Sequence, residues 1–178
     1  MRLVLQPMTQ PEDGGVAVGT FDGLPCVFHG RVATVGDRQY EAKEIATEIL
    51  AAVEEKARAV FGPEWVQSLA LVSGLNPRTV QRDRIGRFGL PAPILRALAE
   101  GAAYPYARAL GDVMQATARL AKAIAGDGGR ERPRGESGIP AVIDTDGPML
   151  TTVKEAKRLV TWLAEQRSTH RAPALDGE

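Results

Sequence analysis

Between Phe61 and Pro91 the chain is punctuated by helix breakers at short intervals: Phe61-Gly62-Pro63, Gly74, Asn76-Pro77, Gly86, Gly89 and Pro91. Apolar residues recur between them at three- and four-residue steps, the period of a helix with one buried face. The stretch therefore reads as a string of short helices joined by tight turns. One helix is expected from Glu64 to Val72, with Trp65, Leu69 and Val72 on one side. A second is expected from Asn76, a good N-cap followed by a proline suited to the first turn, to Arg87. A third is expected from Pro91 to Glu100, with Ile94, Leu95 and Leu98 inward.

The segments on either side follow other periods. Residues 2–6 suit a short strand, and TQPEDGG reads as a loop. VAVGTF and LPCVF flank Asp22-Gly23, a dipeptide that favours a two-residue hairpin because both turn positions want positive φ. His29-Gly30 is expected to turn the chain again into RVATV, completing a small antiparallel meander. A helix from about Glu41 to Val60 follows, with Ile45, Ile49, Ala52 and Val53 recurring on one face. A last long helix is expected from Pro105 to Ala125. Its Tyr106, Leu110, Val113, Thr117, Leu120 and Ile124 step by four and three alternately, as in a heptad seam. That seam either packs on its own domain or joins two chains. GDGGRERPRGESG (126–138) lacks apolar residues and reads as a flexible linker.

Beyond the linker, IPAVI (139–143) echoes LPCVF (24–28), and EAKRLVTWL (155–163) echoes EAKEIATEI (41–49) at nearly the same offset. The expected fold is therefore α+β and mostly α. A central helical module is flanked by two small strand–turn–strand–helix units, which pair with each other or with copies in a second chain. The expected divisions are 1–60, a meander plus helix; 61–125, the helical module; 126–138, the linker; and 139–178, the second unit and tail.

Charge is informative by its distribution. There are 22 basic and 22 acidic residues, so no global charge points to a polyanion or a membrane. From Asn76 to Arg87, however, Arg78, Arg82, Arg84 and Arg87 face only Asp83. The single cysteine, Cys26, cannot form an internal disulfide, and MRLVLQPMTQPEDGG turns polar too early for a leader. No apolar run reaches the roughly 18–20 residues that span a bilayer. A cytoplasmic location with no membrane partner is expected.

The arginine-rich segment has the layout of a helix-turn-helix. Ala70 is the small residue at the crossing, Gly74 turns the corner, Leu75 anchors the turn and Val80 is the internal apolar residue. Arg78, Gln81 and Arg82 are of the types that read guanine and adenine edges. Asn76, Thr79, Arg84 and Arg87 suit phosphate contacts that set register. Residues 61–91, FGPEWVQSLALVSGLNPRTVQRDRIGRFGLP, resemble the helix-turn-helix module of the lambda-repressor/Cro type. The likeness is carried by Phe61, Gly62, Trp65, Leu69, Ala70, Gly74, Leu75, Arg78, Thr79, Val80, Arg82, Gly86 and Pro91. It implies sequence-specific binding of double-stranded DNA, commonly as a homodimer and in transcriptional control of bacterial or phage type. Asp83 departs from the pattern, which has a large apolar residue there. It must either face solvent through a shifted helix or pair with Arg84, Arg87 or Arg96, because a buried lone carboxylate is costly. The rival expectation is a phage-type assembly or packaging protein that uses the same shape for protein contacts or for DNA of any sequence.

Catalytic and metal chemistry is not expected. His29 and His170 lack ligand partners at metal spacing, and Cys26 suits a small core site. GDGG at 126–129 lacks the Lys-Ser/Thr of a phosphate loop. Asp144, Asp146 and Gly147 lack the closing glutamate of a calcium loop and suit a tight turn. The expectation is a non-enzyme with no cofactor, no metal site and no evident small-molecule effector.

Overall fold

The computed structural model describes residues 1–124, 146–154, 156 and 159. It combines a five-stranded antiparallel sheet with a larger helical part. The strands are β1 (Leu3–Leu5), β2 (Val16–Phe21), β3 (Leu24–His29), β4 (Val32–Val35) and β5 (Arg38–Glu41). They lie side by side in chain order, as a meander. Helices α1 (Ala46–Phe61), α2 (Trp65–Ser73), α3 (Arg82–Phe88), α4 (Ala92–Ala103) and α5 (Ala107–Ile124) follow.

Local turn chemistry builds the meander. Asp22 and Gly23 have φ of 48° and 86°, so both turn residues are left-handed, as a two-residue hairpin of this twist requires. The Asp22 carboxylate accepts a hydrogen bond from the Arg2 backbone N–H at 2.7 Å, which ties the hairpin to β1. The next turn is Gly30-Arg31, one residue later than expected, since His29 and Val32 still pair. The loop before β2 is pinned by one side chain. The Gln10 amide donates to the Ala17 carbonyl at 3.1 Å and accepts from the Ala17 N–H at 3.0 Å.

The expected helix from Glu41 starts later. Residues 38–41 form β5, which pairs with β4 from Val32↔Glu41 to Val35↔Arg38. Its Arg, Gln and Glu side chains are exposed, as suits an edge strand. The chain then turns, with the Glu44 N–H on the Glu41 carbonyl at 2.8 Å, and α1 begins at Ala46.

Leu3, Leu5, Val18, Phe21, Cys26, Phe28, Ala33 and Val35 cover the inner sheet face. They join Ile49, Val53, Ala57 and Val60 of α1, and Ile94, Leu95 and Leu98 of α4, in one core. That core runs unbroken past residue 60, because α1 packs on β1 and also on α2, α3, α4 and α5. Cys26 lies within it, and burial pushes its thiol pKa up to about 11.

Residues 146–154 are helical, so Asp146 and Gly147 belong to a helix where a tight turn and then a strand were expected. The Thr151 and Thr152 hydroxyls donate to the carbonyls of Gly147 and Pro148, four residues back. The expected linker (126–138), the IPAVI strand and most of the expected helix at 155–163 lie outside the described residues.

α5 crosses α1 closely. A Cβ on Gly111 would sit 2.1 Å from the Val60 carbonyl oxygen. Gly111→Ala must therefore lift α5, and we expect a loss of about 2–3 kcal/mol in urea unfolding. An unchanged midpoint would mean that the two helices are not held at this distance in solution.

Candidate nucleic-acid interface

α2 ends where the sequence implies. Gly74 takes a left-handed φ of 67°, a conformation that a side chain would strain. The Ser73 hydroxyl donates to the Leu69 carbonyl at 2.6 Å. Beyond it, the expected helix Asn76–Arg87 is divided. The Asn76 carboxamide oxygen accepts the Arg78 N–H at 2.9 Å, and the Asn76 carbonyl accepts the Thr79 N–H at 2.8 Å. Residues 77–80 are thus a turn that Asn76 holds from its own side chain, the usual competition of Asn with a helix start. Val80 is fully buried and anchors the turn. Gln81 is extended, with ψ of 146°, and its carbonyl accepts the N–H groups of Arg84 and Ile85 to begin α3. Gly86 lies inside α3, and Gly89 ends it.

This break settles the position of Asp83. It faces solvent in the first turn of α3, where a negative charge suits the helix dipole. It forms no ion pair with Arg84, Arg87 or Arg96; Arg96 binds Glu100 at 2.7 Å.

The four arginines divide into two kinds. Arg82 is tied to the body of the protein. Its Nε lies 2.5 Å from Glu54 Oε1 on α1, and its guanidinium sits 5.8 Å from the Trp65 ring centroid. Arg78, Arg84 and Arg87 are exposed and have no acidic partner among the described residues. Arg84 rests on the exposed Phe88 ring, 4.8 Å from its centroid. Gln81 and Thr79 are exposed, whereas the Asn76 carboxamide is occupied by its own turn. The structure thus brings Arg78, Thr79, Gln81, Arg84 and Arg87 onto one exposed turn-and-helix segment. It gives Arg82 an anchoring position.

Sequence reasoning missed Glu54, which holds Arg82, the contact of Arg82 with Trp65, and Phe88, which supports Arg84. Phe88 was findable, since it is four residues from Arg84 on a helix. Glu54 lies on a different helix, and no local pattern marks it.

No protein-family model, curated protein or solved structure matches the chain. Among the described residues, no group of three or more His, Cys, Asp or Glu could hold a metal ion. No described helix is long and apolar enough to cross a membrane.

Glu54→Gln removes the charge that holds Arg82 over Trp65. We expect about 1 kcal/mol lower stability in urea unfolding, given the half-exposed pair and its ring contact. Amide exchange in α3 should rise by more than in α4. Equal protection in both helices would show that the pair does not anchor α3.

Proposed function

We propose that the protein binds double-stranded DNA through α2, the Gly74 turn, the 77–80 turn and α3. Together these form a helix-turn-helix module in which α2 and α3 both pack on α1. The observation that carries this reading is the set of exposed arginines without acidic partners among the described residues, Arg78, Arg84 and Arg87, on the segment that follows the glycine turn. Arg78 and Gln81 are assigned to base edges. Arg84, Arg87 and Thr79 are assigned to phosphates. Arg82 and Asn76 shape the segment rather than contact DNA. In this reading the protein is a cytoplasmic transcription regulator of bacterial or phage type, acting as a homodimer on inverted half-sites.

A second reading is favoured by one observation. α3 has only seven residues, and one of the two arginines in its first turn is spent on Glu54. Such a short helix suits an assembly or packaging protein that grips DNA of any sequence.

Fluorescence anisotropy on a labelled random duplex pool tests the shared part. At low salt the wild type should bind, and Arg78→Ala/Arg87→Ala should weaken binding roughly tenfold or more. The slope of log affinity against log salt should fall by about 2 if both arginines meet phosphates, and by about 1 if only Arg87 does. Absence of wild-type binding at low salt would overturn both readings of DNA contact. Enrichment of a common site from the pool supports the regulator; binding with no enriched site supports the assembly protein.

A further inference from the structure

α3 turns one face to α1 and the other to solvent. Arg82, Ile85, Gly86 and Gly89 form the inner face. Arg82 meets Glu54, Ile85 is fully buried, and a Cβ on Gly86 would lie 3.3 Å from Leu50 of α1. Gly89 has φ of 69° and ends the helix against Ile49, where a Cβ would come within 3.1 Å of that side chain. The helix is therefore seated closely along α1, and its last residue, Phe88, is left on the outside. Phe88 is 53 % exposed, whereas Phe21, Phe28 and Phe61 are buried in the core. Its ring is met by the Arg84 guanidinium, 4.8 Å from the centroid.

The residues around this ring narrow what it can meet. A pitch of about 3.6 residues per turn sets Arg84 and Arg87 at the middle of the outward face, with Phe88 on one flank and Asp83 on the other. Asp83 is the one acid in α3, and neither arginine forms an ion pair among the described residues. A phenyl ring makes no hydrogen bond of its own, so it leaves water only for another apolar or aromatic surface. The arginines beside it suit anionic groups. A nucleic acid carries both along one strand, phosphates and flat aromatic bases, and stacking of a base on an aromatic side chain is the contact such a ring supplies. In a fully paired duplex each base face is covered by its neighbours. The ring therefore fits DNA in which a base has left the stack.

We propose that Phe88 is a base-stacking contact, and that the DNA fitted to this face carries a base displaced from its stack, with Arg84 and Arg87 on the phosphates beside it. The inference rests on the DNA-binding reading given above and adds the form of DNA that α3 prefers.

Anisotropy with the full chain tests it on two labelled duplexes of one sequence, fully paired or carrying a single unpaired adenine. The wild type should bind the second roughly tenfold more tightly, the gain expected of one stacked base. That ratio should hold as salt rises, because stacking releases no counterions. Phe88→Ala should erase the preference and change binding to the paired duplex little. Phe88→Trp should keep the preference, and Phe88→Leu, apolar but without an aromatic face, should lose it. Each variant should melt as the wild type does, because Phe88 lies outside the core. Equal binding of the two duplexes, a preference that survives Phe88→Ala, or one that Phe88→Leu retains would overturn the inference and leave the duplex reading standing. Phe88-dependent binding of the duplex with the unpaired base, with no binding of the paired one at low salt, would uphold the inference and overturn the duplex reading. Binding to neither would overturn both.

Discussion

The fold depends on the shared packing of α1. Ile49, Ala52, Val53, Ala57 and Val60 make a buried stripe along it, and α1 meets β1 as well as α2, α3, α4 and α5. Burial of each Val- or Ile-sized side chain contributes about 1.5–3 kcal/mol, so this one stripe is a large part of what holds a marginally stable chain together. The alanines matter as much as the larger residues. They let α1 lie close to several neighbours at once, as does the Gly111 crossing by α5. The chain has few aromatic residues, and among the described residues Trp65, Phe21 and Phe28 are the largest fully buried side chains. The sheet and the arginine-bearing segment are thus mechanically joined through one helix. Because α3 and α5 both pack on α1, the basic segment has a fixed place relative to α5.

The arginine segment shows how one residue type serves two ends. Arg82 is neutralised by Glu54 and lies over Trp65, so it fixes α3 against α1. Arg78, Arg84 and Arg87 are exposed and form no ion pair with an acid among the described residues. On a chain with no net charge, such a local concentration makes this segment more positive than the chain as a whole.

What the sequence made legible was local. Asp22-Gly23 signals its hairpin because positive φ at two successive positions is a property of those residues alone. The periodic runs in α4 and α5 were readable because one face of each helix is apolar over several turns. The second half of the helix-turn-helix pattern was harder. Asn76-Pro77 starts a helix or a self-contained turn equally well, and the choice fell to Val80, whose burial depends on distant partners. β5 was hidden because Arg38-Gln39-Tyr40-Glu41 has one apolar residue, and its pairing energy comes from a neighbouring strand. Glu54 could not be linked to Arg82 from sequence, since the link exists only after α1 and α3 pack. Among the site residues, exposure was foreseen for Asn76, Arg78, Gln81 and Arg82, and all four are exposed. The tie of Arg82 to Glu54 was not foreseen.

The Gln10 side chain has a consequence for how this protein avoids its own copies. β1 spans only three residues, and Ala17 lies beyond its pairing with β2. A bare backbone donor and acceptor there would invite a strand from another molecule to add to the sheet. The Gln10 amide offers the same donor and acceptor as a peptide group and fills that position from within the chain. A single carboxamide thereby acts as a one-residue strand and closes a seed point for misassembly.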